Sequence, residues 1–141
     1  MKGADHMTQL EETANEVASL LDAEIELTEN GCLVKKKRRL DIHTEQKYFS
    51  CILELDISFK NFKKNGLAMN KAEILLLPEE LPAFTAAWSN FDIPLPVNFK
   101  QRCETNPNIV CLHLETTECP KDFAARLSAS LHALEPLESI S

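Results

Sequence analysis

Cys103, Cys111, His113 and Cys119 are the residues of this chain whose types and closeness in sequence could hold a metal ion. Thiolate sulfur and imidazole nitrogen are the usual ligands of a tetrahedral zinc site. The spacing, however, contains neither Cys-x-x-Cys nor His-x-x-x-His. A hairpin through this segment would also put Cys103 on one face and Cys111 with His113 on the other, so no metal is expected. The five cysteines are odd in number and irregular in spacing, which reads as reduced, mostly buried thiols rather than a disulfide framework. No Gly-x-Ser-x-Gly elbow provides a nucleophile, and His6, His43, His113 and His132 share no motif. Three glycines are too few for a phosphate-cradling loop. The acid pairs Glu11-Glu12 and Glu79-Glu80 belong in first helical turns, where the helix dipole favours carboxylates. The reading is of a non-enzymatic protein without a cofactor.

What remains is a concentration of positive charge. Residues 34–71 carry ten Lys/Arg against four Asp/Glu, and the remainder five against eighteen, giving a net charge of −7. Five basic residues run together from Lys35 to Arg39. Such a chain can bind a polyanion through one face, or neutralise itself by folding its basic and acidic segments together.

The elements decide between these. Residues 8–22 have the period of an amphipathic helix, with Leu10, Ala14, Val17 and Leu21 on one side and Thr8 and Glu11 spaced as a capping box. Asn30-Gly31 predicts a two-residue type I′ hairpin joining strands 23–29 and 32–42. In that register Glu29 faces Cys32, Leu27 faces Val34, Glu26 meets Lys35 and Glu24 meets Lys37. The alternation of Phe49, Cys51, Leu53, Leu55, Ile57 and Phe59 with polar neighbours predicts a long third strand. Matching faces puts Ile42 opposite Phe49, Lys37 beside Glu54, Lys35 beside Asp56 and Arg39 opposite Ile52.

A fourth strand follows from Leu67 and ends before Pro78. A helix over 78–91 carries the stripe Leu81, Phe84, Trp88, Phe91. A hairpin around Asn106-Pro107-Asn108 has Leu95, Val97 and Phe99 on one face and Glu104 opposite Ile109. A last helix starts at Pro120, with Phe123, Leu127, Leu131 and Leu134 inward. The expectation is a single α+β domain over 8–141 behind a disordered or appended leader over 1–7. Its antiparallel sheet of about six strands comes in the order α-β4-α-β2-α, with helices on one face.

This order, with the small size and acidic charge, resembles the class I type III secretion chaperones. The resemblance implies a cytoplasmic homodimer that holds an extended segment of another polypeptide. The contact surface would be Leu33 and Ile52 on the outer sheet face, Trp88 on the second helix, and Lys36 with Arg38. Those two cations point to the apolar face, so Glu12 or Glu16 of the first helix, or an acidic partner, must meet them. The alternative is a single-stranded nucleic-acid binder using Lys47, Tyr48, Lys60, Phe62, Lys63 and Lys64, where aromatics interleave with lysines. The segment "KKNGLAMNKAEILLL" resembles the strand-to-helix junction of the single-stranded-DNA-binding transcriptional coactivator family. No window is apolar enough for a membrane span, and the start "MKGADHMTQ" has no apolar leader segment.

Overall fold

The computed structural model describes residues 8–43, 46–105 and 109–134. The expected leader 1–7 and the Asn106-Pro107-Asn108 turn lie outside them. The described elements are α1 (Gln9–Leu21), β1 (Glu24–Leu27), β2 (Cys32–His43), β3 (Tyr48–Lys60), β4 (Ala68–Leu76), α2 (Leu81–Ser89), β5 (Lys100–Thr105), β6 (Val110–Glu118) and α3 (Pro120–His132). The strands form one antiparallel sheet in the order β1-β2-β3-β4-β6-β5. The expected α+β class, strand count and element order all hold. No helix among the described residues is long and apolar enough to cross a membrane.

The three helices cover one face of the sheet, because period-two strands and period-3.6 helices each present a single apolar side. Ala14, Val17 and Leu21 of α1, Phe84 and Trp88 of α2, and Phe123, Ala124 and Leu127 of α3 share one core with Val34, Leu55, Ile57, Ile74 and Leu112 of the sheet. Along β4 and β6 the burial alternates residue by residue, so the opposite sheet face is left to solvent. Thr8 and Glu11 form the expected capping box at the start of α1. Asp22, in the left-handed conformation at φ 50°, ends the helix.

Several local expectations are corrected. Leu27 opposes Cys32 and Glu24 opposes Lys35, two residues away from the expected β1–β2 register. Both registers keep the same faces, so the apolar pattern cannot choose between them. Among the described residues the positive φ values belong to Asp22, Asn61 and Gly66, so Asn30-Gly31 is not a type I′ turn. Gly31 is required for a different reason: a Cβ there would lie 2.0 Å from the carbonyl oxygen of Phe59, where the end of β3 crosses it. The β5–β6 pairing is likewise two residues over, with Glu104 opposite Cys111. β5 starts only at Lys100, leaving Leu95, Val97 and Phe99 in the preceding loop. Pro78 opens a 3₁₀ turn rather than α2, which starts at Leu81 and stops before Phe91.

The core also contains one buried ion pair. Arg126, 0% exposed, donates from Nη1 to Glu118 at 2.7 Å and from Nη2 to its other oxygen at 3.2 Å. The same Nη2 reaches the Ile93 and Pro94 carbonyls at 3.1 and 3.2 Å, and the guanidinium lies over the Trp88 ring. Thr116 donates to Glu118, and Asn70 donates to Thr116 and to the Glu118 carbonyl. This network ties α3 to β6, β4 and the loop before β5.

Removing one member leaves the other charge buried, so Arg126→Leu should cost about 3–5 kcal/mol in urea unfolding. Arg126→Leu with Glu118→Leu should recover a large part of that loss. Equal stability of Arg126→Leu and the parent would show that the pair does not brace the core.

Candidate functional site: the open edge of the second strand

β2 has twelve residues and β1 only four, so β1 covers Cys32 to Lys35 and stops. Among the described residues no strand pairs with that side of β2 from Lys36 onward. On its other side β2 pairs with β3 from Cys32 to His43, and the expected Ile42–Phe49 register holds. β3 in turn pairs with β4 only from Asp56 to Lys60. The far part of the β2–β3 hairpin is therefore a two-stranded arm with an unpaired backbone edge along β2.

The basic run lies on this arm, and the pleat divides it. Lys36 and Arg38 point inward. Lys36 Nζ donates to the Leu21 carbonyl at 2.7 Å, closing the C-terminus of α1, which carries no basic residue in its own last turn. A cation there also favours the negative end of the helix dipole. Arg38 Nη1 donates to the Leu75 carbonyl at 2.9 Å, two residues beyond the last β3–β4 pair. Its Nη2 is ion-paired to Glu80, whose other oxygen accepts the Leu77 amide at 2.9 Å. The partners are a helix end and a 3₁₀ turn, not Glu12 or Glu16. The expectation that these two cations wait for an acidic partner is corrected: both are engaged within the chain.

Lys35, Lys37 and Arg39 point outward. Lys35 pairs with Glu26 at 3.1 Å, a diagonal contact in the shifted register, and Lys37 stands beside Glu54. Arg39 donates to Asp41 at 3.2 Å and to Ser50 at 3.3 Å. Leu33 and Ile52 lie exposed on this same outer face, at 44% and 67%. Trp88 does not join them. It is 1% exposed, stacked on Phe84, edge-on to Phe123, and in contact with Phe99. Its place on the helix stripe faces the core, so it is not a contact surface.

Beside the open edge is a cleft of about 300 Å³. Lys36 to Arg39 form one wall, Leu21 and Asp22 of the α1 end another, and Leu131, His132 and Leu134 at the end of α3 the third. An unpaired strand edge and a partly apolar cleft thus lie side by side. The edge can exchange backbone hydrogen bonds with an added strand, and the cleft can take a side chain from it. This combination depends on the shortness of β1. The Gly31 signal suggests a hairpin of equal arms and so hides it.

The residues of the nucleic-acid alternative are divided between the two ends of β3. Lys47 and Tyr48 stand at its start, and Lys60, Phe62, Lys63 and Lys64 at or beyond its end, ~40 Å apart along a thirteen-residue strand. Phe62 packs on Phe59 with ring centroids 6.0 Å apart, and Tyr48 Oη donates to Asp41 at 3.3 Å. Of the four residues weighed as metal ligands, Cys119 caps α3 and Cys103 opposes Leu112 on the helix side of the sheet. Cys111 and His113 share the outer face.

A family model described as "Domain of Unknown Function (DUF1259)" matches residues 15–133. No curated protein and no solved structure matches the chain.

The environments of the thiols rank their reactivity. Burial pushes Cys32 up to about 11. Burial and then the charges of Glu73 and Glu104 push Cys111 up. Cys103 is exposed on the edge strand. Because the thiolate is the nucleophile, iodoacetamide at pH 8 should modify Cys103 first, Cys111 much more slowly, and Cys32 only after unfolding. Peptide mass mapping of a time course checks this order.

Proposed function

For a chain that belongs to that family, whose description assigns no function, we propose a non-enzymatic cytoplasmic protein that binds another polypeptide by adding an extended segment to the open edge of β2. The carrying observation is the unpaired side of β2 beyond Lys35 with the cleft beside it. A strand added there would have Lys37 and Arg39 as its nearest outer-face neighbours, with Arg38 between them and Leu40 just beyond them on the inner side. Acidic residues at alternate positions, with an apolar residue between, suit that row.

The same charges argue against a second copy of β2 as the occupant. An antiparallel β2–β2 pair centred on Lys37 would set Lys37 against its own copy and Lys36 against Arg38 on either side. Like charges directly opposite destabilise a pair, and basic residues on exposed edges are a known protection against self-pairing. The homodimer implied by the resemblance to secretion chaperones would need another surface, and the outer face with Leu33 and Ile52 is available to it.

The test is fluorescence anisotropy with a labelled peptide of about eight residues, alternating Asp/Glu with Leu/Val. Binding should weaken with added salt and drop at least tenfold in the Lys37→Glu/Arg39→Glu variant, whose thermal midpoint should stay close to that of the parent. N-methylation of alternate peptide amides should abolish it, since backbone hydrogen bonds supply the affinity. Equal binding of the N-methylated peptide would overturn strand addition. Sub-micromolar binding of labelled single-stranded DNA with a steep salt slope would overturn the polypeptide reading in favour of the nucleic-acid one.

A further inference from the structure

The outer sheet face holds a second cluster, on strands remote from the β2 edge. β6 carries Cys111 and His113 two residues apart, so the pleat aims both outward. β4 sets Glu73 directly opposite His113, and β5 sets Glu104 directly opposite Cys111. The Cys111 sulfur lies 3.5 Å from His113 Nε2. Glu73 Oε2 lies 3.3 Å from His113 Nδ1, and Glu104 Oε1 lies 3.2 Å from Nε2. One carboxylate oxygen of Glu73, the thiol sulfur and an imidazole nitrogen all fall within 4.8 Å of one another. The imidazole is only 16% exposed, so its position is set by packing as well as by the carboxylates.

We propose that Glu73, Cys111 and His113 bind a divalent cation of the zinc class, with Glu104 as the residue that positions the imidazole. The donor types decide the metal. Sulfur, nitrogen and carboxylate oxygen together suit zinc and are poor for magnesium or calcium, which take oxygen. The spacing suits it as well. Ligands at the usual zinc–sulfur and zinc–nitrogen distances stand ~3.6 Å apart on a tetrahedron edge, a spacing that three donor atoms already within 4.8 Å of one another can reach by side-chain rotation.

Both ring nitrogens face a carboxylate. With the metal on Nδ1, beside Glu73, the other nitrogen Nε2 keeps Glu104 as the acceptor that fixes ring and tautomer, the usual outer shell of a zinc-bound histidine. Arg102 donates to the second oxygen of Glu104 at 2.8 Å, which holds that carboxylate in place and leaves Glu73 as the freer ligand. Binding requires loss of the Cys111 proton, so zinc uptake releases a proton to buffer. The fourth position opens to solvent on the sheet surface. The cation would clip β4 to β6, with the edge strand β5 held through Glu104.

The test uses the full chain with zinc alone, by calorimetric titration, and with cobalt as a spectroscopic substitute. The expected result is one zinc per chain, a raised thermal midpoint with zinc, and thiolate-to-cobalt charge-transfer absorption. Cys111→Ser should lose that absorption, and Glu73→Gln should weaken zinc at least tenfold. Glu104→Gln should weaken it ~10-fold while keeping the absorption, as a positioning residue does. All three substitutions are nearly isosteric and on the solvent-facing side of the sheet. Far-ultraviolet circular dichroism checks that each variant folds, with Glu73→Gln alone sufficient if Cys111→Ser does not. No zinc binding to the parent at micromolar concentration, or unchanged binding in both Cys111→Ser and Glu73→Gln, overturns the proposal.

Discussion

A guanidinium inside the fold sets the course of the long hairpin. Arg38 sits on the helix-facing side of β2, where an unpaired charge would be costly to bury. It is balanced by Glu80 and by the carbonyl of Leu75, both just beyond the point where β3 and β4 cease to pair. The sheet can divide there because Arg38 occupies an acceptor on β4 past the end of that ladder. The same contact holds the 3₁₀ turn that leads into α2. Two residues earlier, Lys36 does the corresponding work at the end of α1. The far half of β2 is thus anchored from its inner side by two cations and from one edge by β3. Its other edge needs no strand to hold it.

The opposite end of the domain is held by a different kind of charge pair. Arg126 and Glu118 are buried together with Trp88, and the guanidinium reaches from α3 to β6 and to the loop before β5. Double hydrogen bonding of a carboxylate by a guanidinium sets geometry as well as charge. Trp88 is therefore core, and surface functions fall to the sheet. They separate by strand: the β2 edge offers backbone groups beside a cleft, and the β4–β6–β5 face offers sulfur, nitrogen and carboxylate donors.

Much of this architecture was legible in the sequence. The Ile42–Phe49 register follows from two faces that cannot both be satisfied after a one-residue slip. The capping box of α1 and Pro120 at the start of α3 are local signals with local causes. A two-residue slip, by contrast, preserves every face, which is why the β1–β2 and β5–β6 registers were not determined by pattern. Gly31 carries a steric demand from Phe59, a residue far along the chain, and a dipeptide signal cannot express it. Glu80 as the partner of Arg38, and Glu73 as the neighbour of His113, depend on strands that meet only in the folded sheet. The alternation Cys111-x-His113 was visible, but the carboxylates on either side of it were not.

The central claim is that β2 has one satisfied side and one open side beyond Lys35. Amide hydrogen exchange in the free protein tests it most directly. The account predicts that, between Lys37 and Asp41, every second amide exchanges far faster than those of β6, which is paired on both sides, while the intervening amides bonded to β3 stay protected. Uniform protection from Lys37 to Asp41, equal to that of β6, would mean the edge is already covered and would contradict the account.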